Sequence, residues 1–348
     1  MTRYTISLVR GDGIGPELAK SARALLDNIH DSSSIKFDII EVEAGDDALK
    51  KFGRALPDFS FDAIKKSDVC LKSPVGENAA DVILVLRRFF ELYANIRPIK
   101  SYPNVSNIEN IDLVIVRENT EDLYRGWEFK VDDETIIGLR LTSAKASRKI
   151  AIYAFSESMR RNRKKKVMAV HKSNVMRLGD GLFTATARSV SREFPSITYG
   201  EQYVDACAMN LIRMPESYDI ILTTNLFGDI LSDEAAQIAG SLGLGPSANI
   251  GENFAIFEPV HGAAFDIANK NIANPVSIFL SIKMMLEWLS KENSNNDENA
   301  LKSLGKRIDN TLISLLMDNF GTKDIGGNLG TDKYTELFVS RFSASSFC

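Results

Sequence analysis

Cysteine is scarce in this chain: Cys70, Cys207 and Cys348 are the only three in 348 residues. They show no C-x-x-C spacing and are too few for a disulfide framework, which fits a reducing compartment. Cys207 lies two residues after Asp205, so it either lines a site or, more commonly, fills the core as a small buried thiol. Histidine is equally thin, with His30, His171 and His261 too scattered for a zinc motif. No apolar run approaches the ~20 residues that span a bilayer, so no membrane role is expected. The opening MTRYTISLVRGDGIGPE has neither a signal-peptide core nor a transit-peptide composition, and the expected location is cytoplasmic. Nor does one charge dominate: 42 Lys and Arg against 46 Asp and Glu leave a net −4, which gives nucleic acid no overall attraction. What is present is ordinary for a soluble enzyme, with 44% hydrophobic and 25% charged residues. The length suits two domains, or one large domain with an insertion.

Short apolar runs alternate with amphipathic ones. Ile6–Val9, Val69–Leu71, Asp112–Val116, Val167–Val170, Gln202–Val204 and Asp219–Leu222 read as buried strands. Glu17–Ile29, Asp81–Ala94, Ala146–Arg161 and Asp180–Arg192 read as helices between them. That alternation predicts an α/β fold with a sheet covered on both faces. Trp127–Leu141 departs from it, alternating about Asp132-Asp133 as a protruding β arm does. A lone hairpin is marginal, so the arm is expected to pack on a second subunit. The polar run Glu292–Asn299 reads as a surface loop.

The chemistry concentrates after the strands, where open α/β sheets bind ligands. Asp112–Val116 delivers Arg117 and Glu118, Val167–Val170 delivers His171 and Lys172, and Gln202–Val204 delivers Asp205. Asp219–Leu222 leads into a helix carrying Asp229 and Asp233. Four residues apart, the two acids share a helix face. They either complement the helix dipole or offer hard oxygen ligands to Mg²⁺ or Mn²⁺. Arg87 on the helix Asp81–Ala94, Arg97 before Pro98 where that helix must end, and Arg117 could clamp a substrate with more than one carboxylate. Any one of them alone is more often a solvated surface residue.

Two segments invite other readings. Gly11, Gly13 and Gly15 are spaced G-x-G-x-G, a poor match to the G-x-G-x-x-G of a Rossmann site, and Pro16-Glu17 starts a helix. The run Arg160–Lys166 (RRNRKKK) resembles a nucleic-acid patch. At the end of a helix, cations suiting the dipole are the commoner explanation.

The segments GDGIGPE, LRRFFELYANIRP, VRENTEDLYRG, VHKSNVMRLGDGLF, YVDACAMNL, NLFGDILSDEAAQIAGSLGLGPSANIG, FEPVHGAAFDIANKNIANP and DIGGNLGT stand in this order along the whole chain. In this they resemble the β-decarboxylating dehydrogenases, which act on isopropylmalate, isocitrate, homoisocitrate or tartrate. The resemblance implies two α/β domains with a cofactor groove that is not of Rossmann type. Residues 1–98 with 240–348 would form the first domain, and 99–239 the second, with the arm near 127–141. It implies a homodimer with shared active sites, or a tetramer of such dimers, acting on a small 2-hydroxy dicarboxylate. Arg87, Arg97 and Arg117 stand at the positions that bind the malate carboxylates. Asp229 and Asp233, with Asp205 from the partner subunit, stand at the metal-binding positions. Lys172, also from the partner, matches the residue that takes the hydroxyl proton, and Tyr124 the one that protonates the enol after CO₂ leaves.

The same resemblance assigns His261, Gly262, Ala264, Asp266, Ile267 and Asn274 to the cofactor. Asp266 would meet the adenosine ribose hydroxyls and repel a 2′-phosphate. Members using NADP tend to carry Lys-Tyr where this chain has Asp266-Ile267, so NAD is expected. Ile83 and Leu84, four and three residues before Arg87, fall on its helical face and suit an isopropyl group. A distal carboxylate would be left unpaired there. This favours isopropylmalate and leucine biosynthesis. Arg117–Tyr124 looks more like the isocitrate and homoisocitrate branch, and Ala80 stands where bacterial isopropylmalate enzymes usually carry glutamate. Some archaeal isopropylmalate enzymes combine both features. Homoisocitrate or isocitrate remains the alternative acid, with Arg88 near enough for a distal carboxylate. A non-catalytic regulatory subunit is the reading from another class.

Overall fold

The computed structural model describes residues 2–79, 81–292 and 297–344, so Ala80, Cys348 and the centre of the Glu292–Asn299 run lie outside the described residues. Its strands are β1 (Arg3–Val9), β2 (Lys36–Val42), β3 (Val69–Lys72), β4 (Ala94–Lys100), β5 (Asp112–Glu118), β6 (Glu128–Lys130) and β7 (Ile136–Gly138). Then follow β8 (Lys166–His171), β9 (Thr198–Tyr203), β10 (Ile220–Thr223), β11 (Pro246–Ile250) and β12 (Ala255–Pro259). The helices are α1 (Gly15–Ser32), α2 (Asp46–Phe52), α3 (Asp58–Lys66), α4 (Asp81–Phe89), α5 (Ala144–Arg161) and α6 (Gly179–Ser191). After them come α7 (Val204–Arg213), α8 (Asn225–Ile238), α9 (Val276–Glu292), α10 (Glu298–Met317) and α11 (Thr331–Ala344). This is the expected α/β fold.

Ten strands make one sheet in the order β2-β1-β3-β12-β11-β4-β5-β10-β8-β9. β2, β1, β3 and β12 are parallel to one another, as are β5, β10, β8 and β9. Three antiparallel pairings, β12 with β11, β11 with β4 and β4 with β5, join the groups and make them run in opposite directions. Alternate residues of each strand go to opposite faces. On one face Val114, Val116, Ala248, Ile250 and Phe257 join a single core that runs under α1, α5, α6, α9, α10 and α11. On the other face the core is in two pieces. One lies under α7 and α8 with Leu113 and Ile115, the other under α3 and α4 with Val9 and Cys70. Between those pieces the sheet presents Asn95, Arg97, Arg117, Asn249 and Glu258, all buried. The polar gap is where the site forms. On the continuous-core face a cavity of about 290 Å³ opens between α5 and α9 beside Tyr153, Met284 and Trp288. None of the expected site residues lines it.

Several sequence expectations need correction. The helix expected to run to Ala94 stops at Phe89. Glu91 takes a left-handed φ of 48° and the Leu92 amide returns to the Arg87 carbonyl at 2.9 Å, which closes the helix. Arg97 is therefore on a strand, and its Pro98 is tolerated because β11 pairs with β4 only as far as Ile96. Val204 opens α7 rather than ending a strand, so Asp205 stands in the first turn of that helix. β2, β4, β11 and β12 carry no clear alternation and escape sequence reading.

The arm is an isolated antiparallel hairpin of β6 and β7. The basic run is engaged locally: Arg160 pairs with Glu157, Arg161 with Asp112 and Asp219, and Arg163 with Asp112. Cys70 and Cys207 are buried free thiols, both pushed up to about 12 by burial.

Candidate active site

α8 brings the two acids to the gap. It follows β10 directly, with Thr224 as an extended N-cap residue. Its first turn lies so close to the sheet that a Cβ on Gly228 would come 2.6 Å from the Arg117 Cγ. Glycine is thus required for contact between helix and arginine, not for flexibility.

Arg97 donates to the Ser232 hydroxyl at 2.6 Å and pairs with Asp229 at 3.1 Å and Asp233 at 3.2 Å. Its Nε is fixed by the Asn95 side-chain oxygen at 2.9 Å. Arg117 places Nε and Nη2 on the Asn225 oxygen, at 2.9 and 2.7 Å, and Nη1 on Asp229. The Tyr124 hydroxyl donates to the other Asp229 oxygen, and the Arg117 guanidinium sits 5.0 Å above the Tyr124 ring. Arg87 reaches the same gap from α4, donating to the Asn249 oxygen at 3.0 Å. Asn95 and Asn119 donate to that oxygen as well, each at 3.0 Å. Asn249 donates in turn to Glu258 at 2.7 Å, and Glu258 pairs with Lys72 at 2.6 Å.

The charges of the site do not balance. Lys72 neutralises Glu258, leaving three buried guanidiniums against two carboxylates. Burial and the neighbouring Arg117 push Arg87 down to about 10, so it stays charged at neutral pH while repelled by its own kind. Burial would raise the Asp229 carboxyl, but Arg117 and Arg97 outweigh it and hold the group below the usual carboxylate range. Asp233 goes the other way, raised by burial against the pull of Arg97. Burial and the Asp229 charge raise the Tyr124 phenol against the pull of Arg117, so it keeps its proton. The site has cationic capacity for an anionic ligand.

Asp229 and Asp233, 36% and 57% exposed, are hard oxygen donors one helical turn apart, which fits Mg²⁺ or Mn²⁺. Among the described residues no third His, Cys, Asp or Glu completes a metal group in one chain. Asp205 instead pairs with Lys172, whose ammonium lies over the Tyr203 ring. Neither of them bonds to the Arg97–Asp229 cluster. The structure therefore brings together Arg87, Arg97, Arg117, Tyr124, Asp229 and Asp233, and sets Lys172 and Asp205 apart.

Ile83 packs against the core under α4, while half-buried Leu84 joins none of the three cores. Leu84 is thus the better placed of the two to meet a ligand.

His261, Gly262, Ala264, Asp266 and Ile267 share the loop after β12. It rests on the glycine loop: the Ile14 amide donates to the Ala263 carbonyl at 2.8 Å, and a Cβ on Gly13 would meet that carbonyl oxygen at 2.0 Å. These glycines allow loops to pack and do not form a Rossmann cradle. His261 Nε2 lies 2.9 Å from the Ser277 hydroxyl, and its ring is held neutral by burial. Asp266 is exposed and makes no hydrogen bond or ion pair among the described residues. Asn274 is occupied within the fold, donating to Asp324 at 2.9 Å and capping α9 through the Val276 amide at 3.0 Å. Sequence reading missed Asn95, Asn249, Lys72 and Glu258. Their one signal was a polar residue inside an otherwise apolar run.

Residues 5–338 match the family model described as isocitrate/isopropylmalate dehydrogenase. A 3-isopropylmalate dehydrogenase of Sulfurisphaera tokodaii is 48% identical over 94% of this chain and 96% of its own length. A homoisocitrate dehydrogenase of Methanocaldococcus jannaschii is 41% identical, covering 94% of each chain. The crystal structure of an isocitrate dehydrogenase from Methylococcus capsulatus superposes with a TM-score of 0.88 at 36% identity, over 98% of this chain and 99% of that one. The chain belongs to the isocitrate/isopropylmalate dehydrogenase family.

Proposed function

We propose that the chain is an NAD-dependent 3-isopropylmalate dehydrogenase of leucine biosynthesis. It would convert 3-isopropylmalate to 4-methyl-2-oxopentanoate and CO₂. The observation that carries this is the surplus of buried guanidiniums at Arg87, Arg97 and Arg117, with aliphatic Leu84 one turn before Arg87. Two carboxylates answer the cations and an isopropyl group answers the leucine. The Sulfurisphaera tokodaii relative's name supports the same substrate.

Arg97 and Arg117 orient the carboxylates, and their fixed forks select planar anions. Asp229 and Asp233, completed by Asp205 of a second subunit, would hold Mg²⁺ or Mn²⁺, and the loop 261–267 would hold NAD. Bound there, the cation would polarise the hydroxyl and then the carbonyl, while NAD would accept the hydride. Lys172 from the second subunit takes the hydroxyl proton. Once the β-carboxylate has left as CO₂, protonated Tyr124 is placed to give a proton to the enol carbon.

The working molecule is a homodimer with shared sites in the cytoplasm, alone or paired into a tetramer. Residues 1–98 with 240–348 form one domain and 99–239 the other; the two parallel strand groups draw on those stretches. Among the described residues no helix is long and apolar enough to cross a membrane.

Homoisocitrate is the second reading. Among the described residues the exposed Arg88, one turn beyond Leu84, makes only long 3.4 Å side-chain contacts to the Tyr124 and Arg125 carbonyls, so it can turn to a distal carboxylate. Comparing kcat/KM for isopropylmalate, homoisocitrate, isocitrate and malate with NAD and Mn²⁺ separates the two. Isopropylmalate should lead. A preference for a tricarboxylate would overturn the assignment, and no NADH from the purified chain would favour a regulatory subunit.

A further inference from the structure

Arg140 lies where the return strand of the arm re-enters the body, one residue before Leu141, whose carbonyl accepts from the Asp122 amide at 3.0 Å. Its guanidinium is nearly buried and contacts three separate elements. Nε and Nη2 grip the two Asp122 oxygens. Nη1 meets Asp180 at 2.6 Å, and Nη2 also meets the Thr224 hydroxyl at 2.8 Å. The plane lies 5.0 Å from the Phe227 ring.

The two carboxylate contacts lead to residues of the proposed chemistry. Asp122 stands two residues before Tyr124 and accepts the Leu226 amide at 3.0 Å, which ties it to the first turn of α8 and so to Asp229. Its φ of 71° is one a residue with a side chain seldom adopts, so outside contacts must hold it. Asp180 is fully buried, and its second oxygen accepts the Lys172 amide at 2.6 Å. One cation thus bridges two buried carboxylates that would otherwise repel each other.

We propose that Arg140 is a positioning residue that ties the arm to two active sites at once. Through Asp122 it sets Tyr124 and Asp229 for the site of its own protomer, and through Asp180 it sets Lys172 for the site of the partner. The inference rests on the shared-site reading above. Seating of the arm in the dimer interface is then transmitted to both catalytic centres through a single planar fork.

Hybrid dimers isolated with two affinity tags test this. A Lys172→Ala chain combined with an Asp229→Asn chain comes first: recovered activity supports shared sites, and no recovery in isolated hybrids overturns that reading and the two-site claim with it. An Arg140→Gln chain is next paired with a Lys172→Ala chain. The one live site then uses the partner's Tyr124 and Asp229 with Lys172 from the Arg140→Gln chain, so it reports the Asp180 branch. Pairing with an Asp229→Asn chain reports the Asp122 branch. Relative to hybrids with Arg140 intact, kcat should fall about 10- to 100-fold in both, with the KM for NAD unchanged. A fall in one hybrid only, or in neither, overturns the proposal. Arg140→Lys, milder for folding, should give the same paired loss because one ammonium cannot replace a fork that holds Asp122, Asp180 and Thr224 at once. Full activity in both Arg140→Lys hybrids overturns it too.

Discussion

Asp266 makes the sharpest single-residue forecast, because it is exposed and makes no hydrogen bond or ion pair among the described residues. Asp266→Lys with Ile267→Tyr exchanges repulsion for attraction at a 2′-phosphate and should move the ratio of kcat/KM from NAD towards NADP. If the wild-type chain already uses both cofactors alike, the role given to Asp266 is wrong. Leu84→Arg tests the substrate. Losing an apolar contact of ~1–3 kcal/mol should lower kcat/KM for isopropylmalate by about 10- to 200-fold, while homoisocitrate gains relative to it. An unchanged ranking of the two acids would remove Leu84 from the substrate pocket. At this scale the sequence was readable where a motif is contiguous. Asp229 and Asp233 share one helix, and Tyr124 follows Arg117 within eight residues. It was unreadable where partners lie far apart, as with Arg87 and Asn249 or Arg140 and Thr224.

Between elements, the buried pair of Lys72 on β3 and Glu258 on β12 is the most exacting contact, with side chains 5% and 12% exposed. Lys72→Met removes the cation paired with a buried carboxylate, leaving it the Asn249 hydrogen bond and the more distant arginines, and should cost about 3–5 kcal/mol. Burial raises Glu258, yet Lys72 and Arg87 outweigh that and hold it below the usual range. Its contribution is therefore present above the ordinary carboxyl pKa of ~4.3 and is lost as pH falls through the lowered value. Thermal unfolding of wild type and Lys72→Met should differ most near neutral pH and converge in acid. A pH-independent difference would mean that packing, not charge, is what Lys72 supplies. The strands around this pair explain which elements were legible. β1, β3, β5, β8 and β10 are apolar runs buried on both sides. β4 and β11 mix in Asn95, Arg97 and Asn249, because one face of each belongs to the site, and that mixture hides the strand.

For the whole molecule, the arm is where the proposed assembly can be tested. Trp127, Phe129, Val131, Ile136, Ile137 and Leu139 are between 41% and 63% exposed on a hairpin that joins no other strand among the described residues, an apolar surface that suits a second copy. The Leu139 amide already donates to the Trp127 carbonyl at 2.8 Å, so residues 128–138 can be replaced by a short turn there. The shortened chain should stay folded by circular dichroism, elute as a monomer and lose activity. A fully active monomer would refute a shared site. The fold class and the arm could be read from periodicity, but the opposed strand groups could not, since pairing direction leaves no mark on a run of valines. That opposition gives the chain a timetable. During synthesis β5, β8, β9 and β10 are all complete by Thr223, whereas β3 must wait for β12 and β4 for β11, some 150 residues or more downstream. Contacts that close long loops form late. The half that carries Lys172 and Asp205 can thus finish its own strands on the ribosome, and the arginine cluster is locked only when Asn249 and Glu258 emerge.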